Sequence, residues 1–147
     1  MQNKSRGFTL IEVMITIAVL TILVTLAVPH YNSTLNSVQL NSDHKSLIGV
    51  LATARNQALT LKQDVTVYFN SEDQNTATTL NWKVKHNNTL TELSSIPTLV
   101  FTSLGTVKNY NSSHSILTIC NSDLKKSKRV QVTRTGSIVS LADGSCI

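Results

Sequence analysis

One carboxylate sits in an apolar run whose other polar members, between Phe8 and Val28, are threonines. In RGFTLIEVMITIAVLTILVTLAVP, Arg6 to Pro29, that acid is Glu12. Within a membrane helix an acid costs about 2.5–3.5 kcal/mol near the centre and less near an end, so it is kept where something answers its charge. Glu12 falls in the first turns of the expected helix, where the macrodipole favours a negative group, and four residues after Phe8 on the same face. A cut between Gly7 and Phe8 would leave an ammonium at the helix start. A carboxylate at this depth could neutralise such an ammonium on a neighbouring helix, which is assembly chemistry rather than catalysis.

A second group of residues with chemical potential is basic: Lys125, Lys126, Lys128, Arg129 and Arg134 in LKKSKRVQVTR. Such a set could grip phosphates without regard to sequence, DNA included. It could equally keep a loop and an edge strand soluble, the more ordinary use of such charges. Alternation puts Val130 and Val132 on the buried face and Arg129, Gln131 and Thr133 outward, so Arg134 stays exposed if the strand ends near Gly136. For catalysis the chain offers no Gly-x-Ser-x-Gly, His-Glu-x-x-His or phosphate-binding glycine loop. Asp64, Asp73, Asp123 and Asp143 fall near expected turns, and His30, His44, His86 and His114 have no ligand spacing. The expectation is therefore no enzyme, no metal and no cofactor.

The elements that must position these groups begin with the apolar run itself. Phe8–Val28 holds sixteen apolar residues, four threonines and Glu12. At about 1.5 Å per residue a helix of this length spans the ~30 Å of a bilayer core, and in lipid a helix alone satisfies every backbone group within one segment. Lys4 and Arg6 precede it while no charged residue follows before Asp43, so the N-terminus is expected to stay cytoplasmic. An ordinary secretory signal has a shorter apolar core, and LAVPHYN provides no small-x-small cleavage site.

Beyond Pro29, expected to kink the helix by removing a backbone donor, apolar residues recur at spacings of three or four: Tyr31, Leu35, Val38, then Leu47, Leu51, Ala54, Ala58 and Leu61. A polar gap at Asn41–Lys45 interrupts them. From Asp64 the period shortens to two in DVTVYFN, NWKVKH, PTLVFT, HSILTIC, RVQVTRT and SIVSLA, with polar loops between. These predict a sequential antiparallel sheet with the second half of the helix laid on it: an α+β chain divided into 1–7, 8–28, 29–63 and 64–147. Cys120 and Cys146 both lie beyond the membrane segment in an oxidising compartment, so they are expected to pair. Closing a loop of that length is worth about 3.6 kcal/mol by chain entropy.

The stretch from Arg6 to Pro29 resembles the N-terminal signature of type IV pilins and the pseudopilins of type II secretion: basic leader, Gly7, Phe8, Glu12 in the fifth mature position, and a closing proline. The resemblance implies that residues 1–7 form a leader, that a prepilin peptidase cuts after Gly7 and methylates the new amine of Phe8, and that Glu12 positions the incoming subunit in a filament. It implies a single-pass protein of the bacterial inner membrane with a periplasmic C-terminal domain, later built into a pilus beside other pilin and minor pilin subunits. Loss of Lys4 and Arg6 with the leader would take the formal charge from +5 to +3. Three further stretches, LIGVLATARNQALTLKQDVTVYF with Ala54, Arg55 and Ala58, SLGTV around Gly105, and RVQVTRTGSIVS, resemble the GspH/FimT/FimU branch of that family. The implied role is a minor pilin of a tip or initiation complex, with a secretion pseudopilin or a DNA-capturing minor pilin as alternatives. The DNA-binding version of the branch resembles Gly-Arg-x-Arg. Here Gly136 is followed by Ser137, Ile138 and Val139, so both arginines are missing.

Overall fold

The computed structural model describes residues 7–91, 97–111 and 115–146, the side chains of 26–30 excepted. Lys4, Arg6 and His114 lie outside the described residues, as does the side chain of His30. A helix, α1 (Leu10–Leu61), is followed by β1 (Val65–Phe69), β2 (Thr79–Trp82), β3 (Thr89–Thr91), β4 (Thr98–Phe101), β5 (Ile116–Asn121), β6 (Lys126–Val132), β7 (Ile138–Ser140) and β8 (Gly144–Ser145). The chain divides into two compact units, Met1–Leu35 and Asn36–Ile147.

In the first unit α1 carries large apolar side chains on every side. From Phe8 to Val24 all of them are exposed, Val13 least at 49% and Phe8 most at 82%. The threonines turn inward to the backbone, Thr16 to the Val13 carbonyl at 2.8 Å, Thr25 to that of Ile22 at 2.8 Å, and Thr21 to that of Ile17. Each hydroxyl is thereby satisfied without water. Among the described residues no helix is long and apolar enough to cross a membrane. The stretch whose side chains are described stops at Thr25, while the apolar sequence continues through Val28.

The second unit opens with the rest of α1, whose buried stripe is Leu40, Asp43, His44, Leu47, Leu51, Ala54 and Ala58. The expected stripe holds from Leu47 to Ala58. Before that it departs, because Val38 is exposed and the supposed polar gap supplies two buried residues. Tyr31 and Leu35, in the first unit, are exposed, as is Leu61 at the helix end. The helix closes on Lys62, whose φ of 56° is the left-handed conformation that stops a helix and that glycine more often supplies.

Two sheets cover the stripe instead of one sequential sheet. The first runs β2-β1-β4 and the second β3-β5-β6-β7, with β8 also on β6. All pairings are antiparallel except β1 with β2, which are parallel with Val67 opposite Leu80 and Phe69 opposite Trp82. That register puts Val67, Phe69, Leu80 and Trp82 on one buried face. The connection 70–78 is shorter than the usual dozen or more residues of a parallel crossover. It folds along the outer edge of β2, where Asn75 Oδ1 accepts the Asn81 N–H at 2.7 Å. Phe101, Ile119, Val130 and Val132 complete the core at 0–1% exposure. The expected burial of Val130 and Val132 holds, but β6 is no edge strand: β5 lies on one side of it, and β7 and β8 each pair with part of the other. The short strands β3 and β8 were not visible in the alternation.

Candidate functional site

At the start of α1, Gly7, Phe8 and Thr9 are outside the helix and exposed. Among the described residues no atom lies within 4 Å of where a Cβ on Gly7 would stand. The fold therefore has no need of glycine there, so a requirement for it would come from outside the chain. Thr9 caps the helix, its carbonyl accepting the Val13 N–H at 3.2 Å. Glu12 closes the cap: its Oε2 accepts the Thr9 N–H at 3.3 Å and the Thr9 hydroxyl at 3.3 Å, while its own N–H donates to Thr9 Oγ1 at 3.4 Å. This is the reciprocal Thr-x-x-Glu capping box, written in the sequence as TLIE. The sequence expectation rests on the charge of Glu12 alone; its three-residue spacing from Thr9 is the signal for the cap. One carboxylate oxygen is engaged locally; Oε1 has no partner among the described residues. The backbone stays helical through Pro29.

At the other end of the chain the cysteines behave as expected. Cys120 of β5 and Cys146 after β8 form a disulfide with Cα atoms 5.8 Å apart. Beside it, the basic cluster is largely committed to its own fold. Lys128 Nζ is 2.7 Å from Asp143 Oδ1, with a lysine side chain only 23% exposed. Arg129 donates from Nε and Nη2 to the Ala142 carbonyl at 3.2 and 3.1 Å. Arg134, exposed in the β6–β7 turn as the position of Gly136 predicted, lies over the Tyr110 ring 5.6 Å from its centroid. Of the five, Lys125 and Lys126 alone are exposed with a side chain that has no partner among the described residues.

The three stretches that resembled the GspH/FimT/FimU branch meet in one place. Arg55, on α1, donates from Nε to the Gly105 carbonyl at 3.2 Å and from Nη2 to that of Thr135 at 3.3 Å. Gly105 and Gly136 hold φ of 73° and 76°, and a Cβ on Gly136 would stand 1.9 Å from the Gly105 carbonyl oxygen. Val107 N–H donates to the Arg134 carbonyl at 3.0 Å. One arginine thus fastens a turn of each sheet to the helix, and the glycines permit their contact. Ala54 and Ala58 are fully buried beside it.

A polar network inside the second unit also escaped sequence reasoning. Asp43, 2% exposed, accepts the Asn88 side-chain amide at 2.7 Å and the His86 N–H at 3.4 Å, and meets His86 Nδ1 at 3.0 Å. Asn121 donates to Asn88 at 2.7 Å and accepts the Leu124 N–H at 2.9 Å. His44 meets Ser140 Oγ at 3.3 Å; burial holds its pKa below the usual histidine value, and Lys128 adds to that while a backbone hydrogen bond and Asp143 oppose it. On the surface, Lys108 binds Asp64 at 2.8 Å, holding that carboxyl below the ordinary carboxylate range. Among the described residues no three His, Cys, Asp or Glu side chains are grouped to hold a metal.

Residues 2–28 match the family described as the prokaryotic N-terminal methylation motif. No match was found among curated proteins. Among solved structures the chain is similar to the Pseudomonas aeruginosa (strain PAO1) type IV minor pilin FimU, with a TM-score of 0.53 and 17% identity over 76% of this chain and 97% of that one. At that identity the likeness establishes the fold, which is the α+β fold of a type IV minor pilin.

Proposed function

We propose that this chain is a minor type IV pilin. It is made as a precursor in the inner membrane, cut after Gly7 by a prepilin peptidase, methylated on Phe8, and incorporated in the pilus, in a tip or initiation complex that supports assembly. The observation that carries this reading is a conjunction. A methylation motif at residues 2–28 and a minor pilin fold occur on one chain. The exposed apolar first unit needs an apolar surrounding, which membrane lipid supplies first and neighbouring pilin helices supply later. Glu12, capped through Oε2, keeps Oε1 for the ammonium of a neighbouring Phe8. A pseudopilin of type II secretion would use the same parts, and secretion genes beside this one would favour it. DNA capture draws less support, because three of the five basic residues are occupied within the fold.

Mass spectrometry of sheared filaments tests the reading. It should find a chain beginning with methylated Phe8, and Gly7→Val should leave uncut precursor in the membrane with an unchanged fold, since nothing described crowds Gly7. A filament-borne chain that still begins at Met1 would sink it.

A further inference from the structure

The last described residues, Leu141–Cys146, lie along the outer edge of β6 as a strap continuing from β7. Their hold on the rest of the fold is polar. The Leu141 N–H donates to the Arg129 carbonyl at 2.9 Å, Arg129 grips the Ala142 carbonyl, Lys128 pairs with Asp143, and β8 matches Ser145 to Lys126 and Gly144 to Ser127. The Cys146 N–H donates to the Lys125 carbonyl at 3.2 Å. No residue of the strap is buried. Beneath it Ser127 is covered, at 2% exposure, and a Cβ on Gly144 would come within 2.7 Å of Ser127 Oγ.

Six residues without a buried apolar side chain lose backbone entropy comparable to what a handful of net hydrogen bonds returns. The Lys128–Asp143 pair adds little, since the aspartate is 59% exposed. What remains is the covalent bond from Cys146 to Cys120. By contrast β7 continues a three-pair ladder, Val132 with Ile138, Gln131 with Val139 and Val130 with Ser140, and Ile138 packs against the core.

We propose that the Leu141–Cys146 strap is a thiol-releasable cover on the edge of β6, locked by the Cys120–Cys146 disulfide and opening as far as Ser140 when that bond is reduced. A dithiol reductant attacks one sulfur as its thiolate, forming a mixed disulfide and freeing the other cysteine. Its second thiol then displaces the remaining cysteine, leaving two protein thiols and a cyclic disulfide, with two electrons passed to the protein. Release uncovers unpaired backbone on β6 between Lys126 and Arg129. The two sheets and α1 keep their core. This device does not depend on the pilin reading.

Hydrogen exchange on the full chain in detergent micelles, with and without dithiothreitol, tests it, and alkylation of both cysteines confirms reduction. Strap amides, and those of residues 126–129 that face the strap, should exchange at least tenfold faster, while Val65–Phe69 and Leu117–Ile119 stay protected. Cys146→Ser, which needs no reductant, should reproduce the pattern. An unchanged strap in that variant, or loss of protection across both sheets, would overturn the proposal.

Discussion

Two stretches of one helix, Leu10–Val24 and Leu40–Ala58, are both rich in aliphatic residues, yet their surroundings are opposite. In the first every large apolar side chain is exposed; in the second Leu40, Leu47, Leu51, Ala54 and Ala58 are at 0–2% exposure beneath the sheets. The difference lies in the width of the pattern rather than in hydrophobicity. A stripe with polar residues behind it can be answered by a sheet of the same chain, whereas a helix apolar all round has no face to turn to water. The wider pattern calls for partners outside the chain. Glu12, the one acid in the first stretch, is accordingly the place where the two halves should respond most differently to substitution.

Glu12→Ala should therefore leave the second unit's stability unchanged and cut incorporation into filaments by at least tenfold, read by immunoblotting sheared pili. It also removes the capping box, worth about 1 kcal/mol, so a second variant separates the two roles. Glu12→Gln keeps a side chain able to cap Thr9 and loses the charge. If charge pairing with a neighbour matters, glutamine should fail as badly as alanine. Normal filaments from Glu12→Gln would reassign the residue to the cap alone.

Within the second stretch the expected effect is on folding. Leu51→Ala empties a fully buried site and should cost about 2–5 kcal/mol, lowering the melting temperature of the second unit. Leu20→Ala, 58% exposed, should leave that melting transition where it was. Equal destabilisation by the two changes would mean that the first stretch is packed within the chain after all.

How far these contrasts could be read from the sequence depended on how local their causes are. The apolar run, the turn at Gly136, the period of Leu47–Ala58 and the pairing of Cys120 with Cys146 are fixed by neighbours, counts and spacing, and each was legible. Asp43 and His44 were read as a gap because polar residues ordinarily face water. They are buried because Asn88, His86 and Ser140, distant in sequence, supply their hydrogen bonds. Alternation identified β1 but met β2 only at Asn81–Trp82, since Lys83–His86 of NWKVKH are not strand, and it carries no information on direction or partner, so the parallel pairing was invisible. Strand β8 is the pair Gly144–Ser145, which owes its place to β6 and the disulfide rather than to propensity. Arg55, Gly105 and Gly136 each stand in a separate stretch that resembles the GspH/FimT/FimU branch; their meeting is tertiary.

The smallest effect is expected from the basic cluster, where the comparison becomes one between committed and uncommitted cations. Changing Lys128, Arg129 or Arg134 would confuse binding with folding, because each holds another part of the second unit. Lys125 and Lys126 serve the fold through their backbones alone, their side chains having no partner among the described residues, so Lys125→Gln with Lys126→Gln removes charge alone. A protein making two such phosphate contacts should show weak duplex binding with a salt slope near −2, and the double change should erase it. Transformation and pilus number should both stay within about twofold of wild type, because contacts that few are lost at physiological salt. A transformation defect with normal pili would mean that uncommitted lysines carry DNA without the missing arginines after Gly136, and the DNA-capturing reading would then displace the structural one.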